Sequence, residues 1–172
     1  MPRSPGVHVQ AVNKALGIAA GKLEEFVDLE DSFTSTNYPL LPALGVFWEE
    51  GRASQYSEDD LLWQYSELER DGIYGTPDGL WLGGDETAIW EAKFTTAKIK
   101  SIDQCWMYCK QGLCYAAMSG FRRVLYEVCW MLGDYSRPYK PKGTSTLVEF
   151  SDLEVESWWA IVLKSSRNVK PE

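Results

Sequence analysis

The sequence predicts an α/β fold, a mixed central sheet flanked by helices, and three observations over its 172 residues carry that expectation. Residues 101–119 have the strongest helical pattern in the chain, closed by Gly120. Residues 122–132, Arg-Arg-Val-Leu-Tyr-Glu-Val-Cys-Trp-Met-Leu, form a nearly continuous β run suited to a strand covered on both faces. Ahead of the helix, residues 72–93 read as strands joined by a Pro-Asp-Gly turn and a Gly-Gly-Asp turn.

In chain order, residues 7–20 read as a short helix weakened by Gly17. An acidic segment to Asp31 leads into a polar loop through Leu40, Leu41 and Pro42. Residues 44–56 form a helix in which Leu44, Phe47 and Trp48 share an apolar face beside Glu49 and Glu50, and residues 57–60 break it. Residues 61–70 admit two readings. Ser57 with Asp60 could cap a helix, whereas Trp63, Tyr65 and the Asp71-Gly72 turn favour a strand. The strand reading gives a three-strand meander, 62–70, 73–82 and 87–94. On the 101–119 helix, Ile102, Trp106, Cys109, Leu113 and Ala117 form a buried stripe, and Gln104, Tyr108, Gln111 and Tyr115 a polar-aromatic one. A Pro/Lys-rich loop over 135–143 precedes a strand at 147–150, and Ser151-Asp152-Leu153-Glu154 is a capping box opening a last helix with Trp158 and Trp159. Residues 1–172 read as one domain with its core at about 44–164.

Composition narrows the class. Apolar residues make up 45% of the chain, with eight Trp and nine Tyr, which argues for a packed globular protein over a disordered one. No run approaches the ~18 apolar residues of a membrane span, and the first residues lack the apolar core of a signal peptide. A soluble cytoplasmic protein with no membrane association is the expectation. Three of the four cysteines, Cys105, Cys109 and Cys114, fall on the 101–119 helix, so buried thiols are expected rather than a disulfide framework or a zinc site. A single histidine, His8, leaves no room for a histidine-rich metal site or a Ser-His-Asp triad and reads as incidental.

The net charge is −8, unevenly spread. Residues 1–92 hold 5 Lys/Arg against 17 Asp/Glu, and residues 93–172 hold 12 against 8. The later basic residues, Lys93, Lys98, Lys100, Lys110, Arg122, Arg123, Arg137, Lys140 and Lys142, could steer a polyanion, with modest and salt-dependent affinity.

Chemistry concentrates in residues 72–93. Asp78 sits at the bend of one strand, and Glu91 and Lys93 share one face of the next, while Trp90 and Ala92 take the other. Two carboxylates then converge with an ammonium at a sheet edge. Such a pair suits a hard divalent cation that keeps several waters and takes phosphate oxygens as further ligands. The ammonium can orient a water and oppose charge on a scissile phosphate.

The order Pro77-Asp78…Glu91-x-Lys93 resembles the active-site signature of the PD-(D/E)xK nuclease superfamily. Gln111-x₃-Tyr115, 18 residues beyond Lys93 and followed by a strand, is similar to the Gln-x₃-Tyr motif of its RecB-like and YqaJ-like branch, the group of phage lambda exonuclease. Gln104 and Tyr108 repeat the spacing one heptad earlier. Upstream, Gly45-x₃-Glu49 resembles the helix that supplies a further carboxylate in that group, with Glu50 as a competitor. The resemblance spans about residues 44–132. It implies a restriction-endonuclease-like core that hydrolyses DNA phosphodiesters with Mg²⁺ or Mn²⁺. Asp78, Glu91, Glu49 and the carbonyl of Ala92 would bind metal, Lys93 would position or help deprotonate the attacking water, and Gln111 and Tyr115 would support the site and the nucleic acid. An exonuclease of recombination, repair or viral replication is the implied role, with a homo-oligomer or a recombination or replication partner protein as associates. An endonuclease on the same core and a non-catalytic binding member are the alternatives. The cysteine positions differ from those of cluster-bearing relatives, so no iron–sulfur cluster is expected.

Overall fold

A computed structural model describes residues 4–22, 40–95, 101–131 and 142–169. In chain order the elements are β1 (Val7–His8), α1 (Val9–Ala19), α2 (Leu40–Ala53), β2 (Leu61–Trp63), β3 (Leu68–Arg70), β4 (Ile73–Gly75), β5 (Gly79–Trp81) and β6 (Ala88–Thr95). A 3₁₀ turn (Ile102–Gln104), α3 (Trp106–Ser119), β7 (Arg123–Trp130), β8 (Lys142–Glu149) and α4 (Asp152–Ser166) follow. The acidic segment to Asp31, most of the 135–143 loop, and Lys98, Lys100, Arg137 and Lys140 lie outside the described residues.

The larger sheet runs β2-β5-β6-β7-β8. β6 and β7 are parallel over seven paired positions, Ile89↔Val124 to Thr95↔Trp130, which requires a crossover, and α3 lies on it. Both strands are apolar runs because both faces of the sheet are covered. Ile89, Val124, Tyr126 and Val128 join residues of α1, α3 and α4 in the main core. Trp90, Ala92 and Leu125 point the other way, toward Trp48, Ala53 and Tyr56 at the α2 end. The alternation expected for residues 90–93 is therefore present, and it sorts the two faces between two cores.

Helix α3 lies close against β7 at one position. A Cβ at Gly112 would fall 1.8 Å from the Tyr126 hydroxyl, and that hydroxyl donates to the Tyr108 carbonyl at 2.9 Å. Only glycine permits this approach. Trp106 and Trp158 meet edge-to-face at 5.7 Å where α3 meets α4, and the Ser151/Glu154 capping box opens α4 as the sequence predicts.

The meander is different from the expectation. Residues 61–70 break at Gln64, whose φ of 56° turns the chain, and give β2 and β3. The segment 73–82 breaks at Thr76-Pro77-Asp78, because Pro77 has no N–H to continue the ladder, and gives β4 and β5. The pieces divide between two sheets: β4 joins β1 and β3 in a three-stranded one, β5 joins β2 and β6 in the larger. Asp71 and Gly72, both at positive φ, make the tight β3–β4 turn.

Other boundaries move. Helix α2 takes in Leu40, Leu41 and Pro42, residues that the sequence pattern places in a loop. The 101–119 helix is a 3₁₀ turn and α3, separated at Cys105. The last strand begins at Lys142 as an outer strand with mostly exposed residues. His8 is buried on β1, its ring N–H donating to the Ser4 carbonyl at 2.9 Å, so it has a structural role. Among the described residues no helix is long and apolar enough to cross a membrane.

Candidate active site

The bend at residues 76–78 builds the site. Pairing of β5 with β6 runs from Trp81↔Ala88 to Gly79↔Trp90 and stops there. Beyond that point the Asp78 side chain takes over the exposed edge of β6: its Oδ2 accepts the Ala92 N–H at 2.9 Å. The same oxygen lies 3.1 Å from Lys93 Nζ. Glu91 projects to the same side, its Oε1 accepting the Asp78 N–H at 3.4 Å and its Oε2 lying 2.5 Å from Lys93 Nζ. Asp78, Glu91 and Lys93 thus meet as the sequence predicts, with Glu91 1% exposed, Lys93 16% and Asp78 21%. Of the three, Asp78 is the most exposed.

Two carboxylates share one ammonium in a nearly closed site. Burial, then the Asp78 charge, pushes the Glu91 carboxyl well above the usual carboxylate range. Burial would depress the Lys93 ammonium, but Asp78 and Glu91 outweigh it and hold that group well above the usual lysine range. Apart from the Lys93 ion pair, Glu91 Oε2 accepts no hydrogen bond.

Glu49 reaches this cluster from α2. Its half-buried carboxyl is raised by burial and by the nearby Asp78 charge, and lowered by the Trp63 hydrogen bond and by Lys93. Trp63 Nε1 donates to Glu49 Oε1 at 3.0 Å. Glu50 is exposed on the next position. Among the described residues no three His, Cys, Asp or Glu side chains form a ready-made metal cage. The groups that do converge are hard carboxylate oxygens, and two of them sharing a single ammonium in a nearly closed site suit a small divalent cation that retains waters. The residues therefore fit Mg²⁺ or Mn²⁺.

Tyr115 underlies the bend. It is fully buried, and burial and Glu91 hold its hydroxyl well above the usual phenol range. The hydroxyl donates to the Thr76 carbonyl at 3.0 Å and accepts from Gln111 Nε2 at 2.9 Å and Gln10 Nε2 at 3.2 Å. Gln111 and Tyr115 thereby brace the residues just before Asp78. Gln104 is exposed on the 3₁₀ turn, while the Tyr108 phenol is pushed up to about 12 by burial.

Two features were not singled out from the sequence. The first is Glu127 on β7, 1% exposed, which accepts from Arg52 Nε at 3.0 Å, Tyr56 at 3.0 Å and Trp90 Nε1 at 3.1 Å, and also pairs with Arg52 Nη2. A lone carboxylate inside an apolar β run was the available signal, since a buried charge needs partners. The second is the Trp63-Gln64 corner: Trp63 lies across from Gly79 in the β2–β5 pair, and the Gln64 N–H donates to the Asp78 carbonyl at 2.9 Å. Nothing in a linear pattern marks that contact.

Among the described residues, three of the basic side chains beyond Lys93 are engaged. Arg122 pairs with Asp152, Arg123 with Glu86 and Glu149, and Lys110 lies 4.5 Å over the Trp158 ring. Cys105, Cys114 and Cys129 are buried, Cys109 is half-buried, and all four are free thiols.

Among solved structures, the chain is similar to the alkaline exonuclease LHK-Exo from Laribacter hongkongensis, with 17% identity over 95% of this chain and 90% of that one and a TM-score of 0.55. The complex of LHK-Exo with dAMP matches with 16% identity, the same coverage and the same TM-score. A phage-related exonuclease from Haemophilus somnus matches with 12% identity over 94% of this chain and 92% of that one, TM-score 0.52. No protein-family model and no curated protein matches the chain. The superposition establishes a shared fold: the chain has the mixed α/β, restriction-endonuclease-like architecture of these exonucleases.

Proposed function

We propose that the chain is a metal-dependent DNA nuclease of the PD-(D/E)xK superfamily, YqaJ-like branch, acting as an exonuclease. The observation that carries this reading is the convergence of Asp78, Glu91 and Lys93 at the bend of β5, within electrostatic reach of Glu49. The shared fold with solved exonucleases supports it. Recombination, repair or viral replication is the setting that the sequence resemblance implies.

Asp78 and Glu91, with Glu49 and the Ala92 carbonyl, would hold Mg²⁺ or Mn²⁺. When bound, the cation polarises a phosphodiester and lowers the pKa of a bound water. The chain's own groups do the rest. Lys93 Nζ, held between the two carboxylates, orients the attacking water and opposes charge on the phosphate. Asp78 fixes the β6 backbone at Ala92 through its N–H. Tyr115, braced by Gln111, holds Thr76 and so the approach of the chain to Asp78.

The test is cleavage of end-labelled linear duplex and single-stranded DNA with Mg²⁺, Mn²⁺ or EDTA, and of circular DNA alongside. Metal-dependent cleavage, lowered about 100-fold or more in Glu91→Ala and Lys93→Ala, is the expected result. Preference for linear over circular DNA is expected of the exonuclease. Absence of cleavage by folded protein with either metal would overturn the proposal.

A further inference from the structure

We propose that Trp63 is a base-stacking residue, which holds a nucleobase next to the scissile phosphate; this rests on the nuclease reading. Of the eight tryptophans, Trp63 is the one classed as exposed, at 39% for the residue, while Trp90, Trp130, Trp158 and Trp159 are buried and the rest half-buried. An indole left in water at the rim of a site loses the burial that stabilises the others, and offers a flat face to a ligand.

Its placement is fixed from three sides. The indole N–H is bound to Glu49 at 3.0 Å, which sets the plane of the ring against a carboxylate of the site. In the β2–β5 ladder Trp63 lies opposite Gly79, the residue after Asp78. A Cβ at Gly79 would come within 2.9 Å of the Leu62 carbonyl, so glycine there lets β2 lie close against β5. The next residue, Gln64, adopts a left-handed φ of 56° and gives its N–H to the Asp78 carbonyl at 2.9 Å. The ring therefore stands beside Glu49, on a backbone that runs next to Asp78 and Gly79.

The chemistry selects the ligand. The wall beside Trp63 carries carboxylates, which repel phosphate and ribose-phosphate oxygens unless a cation intervenes. An uncharged π face there suits a base, which every nucleotide supplies, so the contact is tolerant of sequence.

The experiment measures KM and kcat with oligonucleotides carrying either a normal or an abasic nucleotide flanking the scissile phosphate, for wild type, Trp63→Ala and Trp63→Phe. Trp63→Ala is expected to raise KM about tenfold on normal DNA, the range of one lost base–aromatic stack. Wild type is expected to show a similar rise on abasic DNA, and Trp63→Ala no further rise. Trp63→Phe, which keeps a ring but not the N–H, is expected to stay near wild type in KM. Equal loss in Phe and Ala, or an undiminished Ala effect on abasic DNA, would show that Trp63 serves only to hold Glu49 and overturn the stacking role. Wild-type cleavage with an unchanged Trp63→Ala would overturn this proposal alone. No cleavage by wild type would overturn the nuclease reading with it.

Discussion

Arg52 on α2 and Glu127 on β7 form a two-point ion pair across the sheet face opposite Lys93, with Arg52 Nε 3.0 Å from Glu127 Oε2. Tyr56 and Trp90 donate to the same carboxylate, so this buried charge is saturated with donors. Removing one partner of such a pair leaves the other buried and uncompensated. Arg52→Met is expected to destabilise the protein by about 3 kcal/mol in urea unfolding. Because α2 also carries Glu49, the proposed metal-dependent cleavage is expected to need a higher Mg²⁺ concentration at half-maximal rate in the same variant.

The proposed active site presents the reverse case. Glu91 is buried with one oxygen whose partner is the Lys93 ammonium, and two carboxylates share that single ammonium. Glu91→Gln removes the excess charge and leaves Asp78 with Lys93. Without divalent metal it is expected to be about 1 kcal/mol more stable than wild type while cleaving no DNA, the trade between stability and activity common at such sites. Thermal unfolding in EDTA checks the first part, and a lower melting temperature than wild type would contradict it.

Tyr115→Phe tests the brace. The hydroxyl links Gln111 and Gln10 to Thr76, so its loss is expected to cost about 1 kcal/mol of stability. The Asp78 bend then loosens, and kcat is expected to fall about tenfold, as for lost partners behind a metal ligand, with KM little changed.

Gly112→Ala is a packing test. Its Cβ would collide with the Tyr126 hydroxyl, and a cost of about 2 kcal/mol is expected. Adding Tyr126→Phe removes the atom in the way, so the double variant is expected to be more stable than Gly112→Ala alone in urea unfolding.

The buried thiols give a pH dependence. Burial pushes Cys105 up to about 11 and Cys114 up to about 12. In the unfolded chain a cysteine titrates near 8.5. A folded value raised above the unfolded one contributes stability that is complete below about pH 8.5 and is lost as pH rises toward 11 and 12. The urea midpoint is expected to fall between pH 8 and pH 10, and less so in Cys105→Ala/Cys114→Ala. Both thiols are also expected to resist a disulfide reagent at pH 7.5 until the protein unfolds.

Much of this was legible in the sequence where one element carries the whole signal. Strand alternation places Glu91 with Lys93 and sends Trp90 to the other core, helical spacing joins Gln111 to Tyr115, and the capping box at Ser151 is local. Gln64 and Pro77, which divide the meander between two sheets, act through backbone geometry that a hydropathy pattern averages away. Glu127 and Trp63 owe their places to partners on other elements: Arg52 lies 75 residues from Glu127, and Glu49 14 residues from Trp63. A one-dimensional reading sees each residue but not the pair.

The bend at Pro77 also has a bearing on how the molecule assembles. Asp78 and Glu91 stand just beyond one end of a short antiparallel ladder, 13 residues apart in the chain. Closing so short a loop costs little chain entropy, whereas the Arg52–Glu127 contact must close one of 75 residues. Asp78, Glu91 and Lys93 can therefore gather in a local hairpin, to whose edge Glu49 is tied through Trp63, 14 residues away. The acidic cluster thus rests on contacts of short range along the chain, whereas the Arg52–Glu127 closure that ties α2 to the sheet is long-range.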